Sequence, residues 1–237
     1  MIILHFASKN EWDAESKNGF YGESLISRDS FISCFNFKDV SSINFNFSTL
    51  KDYVILCIDE DKVNSEIKYE KEDNIDKINI YGKIDKEAIV SVLPYTFDEN
   101  DKFVITKELL DFDIINEVCN NLNINYESHK YFNDGTKSRI ILLNNLYIIK
   151  QASVSELKAD VTFANFYKDV LMLQKMVYFD KDYRYVVHEF VPGDVMYTVE
   201  NFFDLSNNIK NIVSHYKHYN HDSFGYLESP VNTWDEF

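Results

Sequence analysis

The stretch Leu146-Tyr147-Ile148-Ile149-Lys150-Gln151-Ala152-Ser153-Val154-Ser155-Glu156-Leu157-Lys158-Ala159-Asp160-Val161 decides how the second half of the chain folds. Leu146 to Gln151 is an apolar, β-branched run short enough for a buried strand. Ser153-x-x-Glu156 is a capping-box signature, which marks a helix N-terminus. The helix it opens places Leu157, Val161, Ala164 and Leu171 on one face.

Working outward, two strand-like runs precede this stretch, Tyr126 to Phe132 and Arg139 to Leu143. A turn around Asp134-Gly135 joins them, and Asn144-Asn145 joins the second to the strand that carries Lys150. Gly and Asn tolerate positive φ, so both pairs suit hairpin turns. Downstream lie two more strands, Met176 to Phe179 and Tyr183 to Phe190, then a break at Pro192-Gly193 and a helix over Asp204 to Tyr219. Upstream, Ile114, Ile115, Val118 and Leu122 have helical spacing within Asp113 to Leu122. The order is helix, three strands, long helix, two strands, break, helix.

The first half has a different rhythm. Ile2 to Phe6 reads as a strand, Lys9 to Lys17 as a helix stopped at Asn18-Gly19, and Phe31 to Phe35 as a second strand. Tyr53 to Ile58 is apolar throughout and predicts a strand buried on both faces. Ile67 to Glu70, Ile78 to Tyr81 and Ile89 to Tyr95 are further strands. Asp98-Glu99-Asn100-Asp101 is charged and without bulky apolar residues, which suits a boundary.

Composition narrows the classes of function. Of 237 residues, 45% are hydrophobic and 16% aromatic, enough for packed cores. The charge of −15 opposes nonspecific nucleic-acid binding and polybasic membrane contact. Cys34, Cys57 and Cys119 have no CxxC spacing, so neither a zinc site nor a disulfide framework is expected. No apolar run is long enough to span a membrane and no basic leader precedes Ile2, so the expected compartment is the cytoplasm.

His5, Trp12, Gly19-Phe20-Tyr21, Glu23-Ser24-Leu25, Ser30-Phe31-Ile32-Ser33-Cys34, Tyr69-Glu70 and Ile80-Tyr81-Gly82 form a spaced set along the first half. On these residues, 1–97 resemble a bacterial family, the domain of unknown function numbered nine-five-two. It implies an α+β split-sheet fold like that of ADP-ribosyltransferases. This chain departs from the family at Ser33 and Asn79, where the family has histidines. His5 and Glu70 are the remaining catalytic candidates. Glu70 would contact a ribose hydroxyl or stabilise an oxocarbenium-like state, with NAD as the implied ligand. The alternative makes Glu70 a solvated strand-end carboxylate and His5 a satisfied strand histidine.

Residues 113–237 resemble the N-terminal lobe of the aminoglycoside phosphotransferase family, within the choline-kinase-like group. The likeness implies ATP with magnesium as cofactor. It makes Lys150 the cation that neutralises nucleotide phosphates and Asp160 its positioning carboxylate, with Glu156 as the other choice. Gly135, Thr136 and Ser138 would lie over phosphates. The Glu189 carbonyl and Val191 N–H would read the adenine edge in Val187-His188-Glu189-Phe190-Val191-Pro192-Gly193. The His-Gly-Asp-type catalytic loop and the metal-binding Asp of that family do not occur in this sequence.

The expected architecture is therefore α+β in two domains. An ADP-ribosyltransferase-like split sheet (1–97) and a linker (98–112) precede a kinase-like small lobe (113–237), an antiparallel sheet with one long helix. The expected function is the ATP-binding part of a small-molecule phosphotransferase, not competent to transfer phosphate alone and lacking its catalytic lobe. Its partners would be a nucleotide and a small-molecule substrate, together with a missing C-terminal lobe or a protein partner. Two alternatives stand beside it: an NAD- or nucleotide-acting transferase through the first domain, and a non-enzymatic interaction or regulatory module.

Overall fold

In the computed structural model, Ile2–Ser8 (β1) is the spine of the first sheet, and it alternates between two buried faces. Residues 1–42, 52–72, 75–95, 104–132, 138–169, 173–193, 198–214, 224–226 and 229–231 are described. After β1 come the helix Lys9–Glu15 (α1), Phe20–Tyr21 (β2), the helix Glu23–Asp29 (α2), Ile32–Phe35 (β3), Tyr53–Asp59 (β4), Glu66–Glu72 (β5) and Ile75–Tyr81 (β6). Ile84–Asp85 (β7), Ile89–Pro94 (β8) and the helix Lys107–Leu122 (α3) complete the first of two compact units, Met1–Tyr126.

Its main sheet is antiparallel, in the order β5-β6-β3-β1-β4-β8. Strand alternation sends Ile3, Ala7, Ile32, Cys34, Leu56, Ile58, Ile78 and Ile80 to one face, into a core with Tyr21 and Leu25. The other face takes Ile2, Leu4, Ile55 and Cys57, also buried. Burial on both sides matches the unbroken apolar reading of Tyr53 to Ile58. Asn116 of α3 grips the start of β1. Its Oδ1 accepts from Ile2 N–H at 2.8 Å and its Nδ2 donates to the Ile2 carbonyl at 2.9 Å.

That grip corrects the expected boundary. The residues assigned to a linker (98–112) and to the start of the second domain include those of α3, which instead completes the first unit. The helix also begins at Lys107, with Thr106 Oγ1 capping Leu109 N–H at 3.3 Å. The charged stretch 98–101 lies outside the described residues.

The second unit, Glu127–Phe237, holds His129–Phe132 (β9), Arg139–Leu143 (β10), Tyr147–Gln151 (β11), the helix Val154–Phe166 (α4), Met176–Phe179 (β12) and Val186–Glu189 (β13). The helix Val199–Ser214 (α5) follows, then the hairpin Phe224–Tyr226 (β14) and Ser229–Val231 (β15). The sheet is antiparallel, in the order β12-β13-β11-β10-β9. Leu157 and Val161 of α4 pack on Val186 of β13. This is the three strands, helix and two strands expected from the sequence. The last helix starts five residues before the expected Asp204, and Leu171 lies outside the described residues.

The turn between β10 and β11 shows why Asn144-Asn145 was needed. Their φ values are +53° and +54°, both left-handed, and Leu146 N–H closes the turn on the Leu143 carbonyl at 2.9 Å. Asn144 Oδ1 also accepts from the N–H groups of Glu127 and Ser128, at 2.9 and 3.2 Å. No described helix is long and apolar enough to cross a membrane.

Candidate functional site

The site residues expected from sequence that are described fall on both sheets. On the first, His5 is buried and both its ring nitrogens are engaged. Its Nδ1 is 2.7 Å from the Ser33 carbonyl, and its Nε2 is 3.0 Å from the Tyr21 hydroxyl. A carbonyl can only accept, so Nδ1 carries the proton and Nε2 accepts from Tyr21. The imidazole also bridges a gap, because β1 and β3 are paired at one position, Leu4 with Phe35. Burial pushes the His5 pKa down to about 4, against the hydrogen bond to Ser33, so the ring is neutral near pH 7.

Glu70 belongs to a separate string. Ser33 and Asn79 are register partners across β3 and β6. Ser33 Oγ donates to Asn79 Oδ1 at 3.3 Å, and Asn79 Nδ2 donates to Glu70 Oε2 at 3.1 Å. The two positions where the family resemblance expects histidine thus carry a neutral relay that holds the Glu70 carboxylate. Strand parity decides the rest. His5 is in phase with Ile3 and Ala7 on the Tyr21 face, whereas Glu70 is out of phase with Ile67 and lies on the opposite face. His5 and Glu70, each a catalytic candidate from sequence, therefore do not meet in one site.

On the second sheet the expected residues do converge. Lys150 Nζ lies 2.8 Å from Asp160 Oδ2 and 3.2 Å from Glu156 Oε1. Sequence reasoning offered the two carboxylates as alternatives, and the structure uses both. Glu156 and Asp160 are one helical turn apart on α4, which puts them on one face toward the end of β11. Ser138 Oγ donates to the same Glu156 Oε1 at 3.2 Å. Ser153 Oγ accepts from Glu156 N–H at 3.3 Å, one half of the capping box. Burial disfavours the Lys150 charge, but its bonds to Asp160 and Glu156 prevail and raise its pKa above the ordinary value.

His188 is a member the sequence reading did not single out. It is register partner to Ile148, two residues before Lys150, so it shares the face of Lys150. Burial lowers its pKa, with Asp160 acting to raise it and Lys150 to lower it. Its Nδ1 is buried without a hydrogen-bond partner. The adenine-reading positions are less open than expected. Gln174 Nε2 donates to the Glu189 carbonyl at 2.7 Å, while Val191 is exposed. Gly135 and Thr136 lie outside the described residues. Among the described residues no three His, Cys, Asp or Glu side chains gather to hold a metal ion.

Against known proteins, the family described as "Protein of unknown function (DUF952)" matches residues 6–92. No curated protein matches. Among solved structures, the chain has weak similarity to protein CC0527 from Caulobacter crescentus. That match has a TM-score of 0.40 and 16% identity, covering 46% of this chain and 99% of that one. It also has weak similarity to the aminoglycoside phosphotransferase APH(2'')-Ib in its ADP-bound form, with a TM-score of 0.31 and 20% identity over 43% of this chain and 35% of that one. The streptomycin-ATP-APH(2'')-IIa ternary complex gives a TM-score of 0.31 and 19% identity over the same shares. The chain spans about a third of the length of these phosphotransferases.

Proposed function

We propose that the second unit is a nucleotide-phosphate-binding lobe of the small-molecule phosphotransferase kind, with Lys150 as the residue that meets the phosphates of ATP. The observation that carries this is the Lys150–Asp160 pair. One cation at the end of a strand is held by a carboxylate from the helix that packs beside it, at 2.8 Å. The pair keeps the ammonium charged and fixes its direction, which a group that neutralises phosphate must have. The proposed role is nucleotide binding, the part of phosphoryl transfer that Lys150 and Asp160 can serve. Any magnesium would arrive with the nucleotide, since no described cluster fits a resident ion.

The test is calorimetric titration of the intact chain with Mg·ATP and Mg·ADP, beside Lys150→Ala. Binding by the wild type that weakens at least about tenfold in the variant supports the reading. No binding by a folded wild type at nucleotide concentrations on the order of 1 mM overturns it.

A further inference from the structure

Lys150 answers to more negative charge than it carries. One ammonium faces two carboxylates, so the cluster of Lys150, Asp160 and Glu156 has a net charge of −1. A phosphate chain approaching it meets one more negative charge than a simple Lys–Asp pair would show. We propose that Glu156 is a displaceable guard on Lys150: it occupies the place a phosphate oxygen would take and swings aside when a polyphosphate binds, while Asp160 stays. The proposal rests on the reading of Lys150 as a phosphate-binding residue and adds the regulation of that site.

The geometry separates the two carboxylates. Asp160 makes the shorter contact, 2.8 Å against 3.2 Å. It sits a turn inside α4, beside the buried Val161 and one turn after the buried Leu157. Glu156 is in the first turn and has other places to go. Ser138 Oγ already donates to it at 3.2 Å. As the glutamate of a Ser-x-x-Glu capping box, it can also turn back to the N–H of Ser153, whose side chain caps Glu156 N–H at 3.3 Å. A carboxylate in the first turn of a helix is favoured by the helix dipole wherever it points. The two carboxylates are about equally exposed, so partners and not burial separate them: Glu156 released from Lys150 keeps the Ser138 hydroxyl, whereas Asp160 has Lys150 as its one side-chain hydrogen-bond partner among the described residues.

The two carboxylates should then act in opposite directions. Glu156→Gln keeps the size and helix propensity of the side chain but removes the competing charge. Affinity for a polyphosphate should rise on the order of three- to tenfold, as expected for one like charge in a solvent-screened site. Asp160→Asn loosens the lysine and should lower affinity. Glu156→Ala checks the first result without a side-chain amide, and circular-dichroism melts of every variant check folding.

The experiment titrates the intact chain and these variants with inorganic tripolyphosphate and with Mg·ATP. Tighter binding of both probes to Glu156→Gln and Glu156→Ala, with weaker binding to Asp160→Asn, is the expected result. Tripolyphosphate binding that follows this order without any Mg·ATP binding would keep the guard and reject the nucleotide reading. Mg·ATP binding that is unchanged or weaker in the Glu156 variants, or strengthened equally by Asp160→Asn, would reject the guard and keep the nucleotide reading. No binding of either probe to any folded variant would reject both.

Discussion

The Tyr21 hydroxyl stands 3.0 Å from His5 Nε2, with both side chains buried in the core. It fixes the tautomer that lets Nδ1–H bridge to the Ser33 carbonyl where β1 and β3 part. The pair ties β1 to β3, and it has a cost in acid. The His5 pKa falls from 6.5 to about 4 on folding. The unfolded chain therefore binds a proton that the native state refuses, and stability present above pH 6.5 is lost as pH falls toward 4. Linkage puts the loss at about 3 kcal/mol. Urea melts at pH 7 and pH 4.5 should show it for the first unit. In His5→Gln stability should be lower at pH 7 but nearly flat over the same window. A wild-type slope that survives the substitution would assign the effect to other groups.

Glu15 ties two helices together. From the end of α1 it accepts from the N–H groups of Gly22 at 2.6 Å, Glu23 at 3.0 Å and Ser24 at 2.9 Å, so it caps α2 from outside that helix. Burial opposes its charge, but the donors of Ser24, Gly22 and Glu23 prevail and hold its pKa below the ordinary carboxylate value. A depressed carboxylate adds stability above its unfolded pKa and loses it as pH falls through the folded one. Glu15→Ala should cost about 2 kcal/mol at pH 7, and Glu15→Gln, which keeps one acceptor oxygen, about half of that. Both differences from wild type should shrink in melts at pH 3. Differences that stay constant with pH would mean that charge has no part in the cap.

Asn144 does two jobs that three substitutions can separate. Its backbone is left-handed, and its Oδ1 holds the N–H groups of Glu127 and Ser128. Asn144→Asp keeps both properties and should be close to neutral. Asn144→Gly keeps the backbone but strands the two donors, at about 1–2 kcal/mol. Asn144→Ala loses both, adding roughly 1 kcal/mol for the left-handed φ. Thermal melts of the second unit should rank them in that order, and an alanine variant no worse than glycine would show that the turn relaxes.

These positions mark what the sequence disclosed and what it withheld. Asn144-Asn145 was readable because positive φ selects residue type locally. Ser153-x-x-Glu156 was readable because a cap is a four-residue pattern. Lys150 and Asp160 fell together because the strand and helix that carry them are adjacent in sequence. His5 and Glu70 were readable as separate candidates but not as lying apart, because the face each residue takes depends on the register of β1, β3, β6 and β5, and no single strand records it. The grip of Asn116 on Ile2 spans 114 residues, so no local pattern assigns α3 to the first unit. The helix α2 was missed for a related reason: its cap is not a neighbouring Ser or Asp but Glu15 of another helix.

Gly22 gives the sharpest test of packing in the first unit. Its φ is +99°, which side chains rarely adopt, and an added Cβ would stand 2.2 Å from Ile32 Cδ1 and 3.1 Å from Ile32 Cγ1. Ile32 is fully buried in the core beside Tyr21, so its end cannot move without disturbing the packing. Gly22→Ala should cost about 3 kcal/mol or more, combining backbone strain with overpacking. Ile32→Val removes the clashing Cδ1 and alone should cost about 1 kcal/mol for the space it leaves. If the clash dominates, the double variant will be more stable than the sum of the two single losses predicts, because the alanine methyl fills that space. If the costs simply add, the left-handed backbone is the whole reason for glycine, and Ile32 only happens to be near. A cycle of four urea melts decides between them, with a coupling above about 0.5 kcal/mol as the threshold.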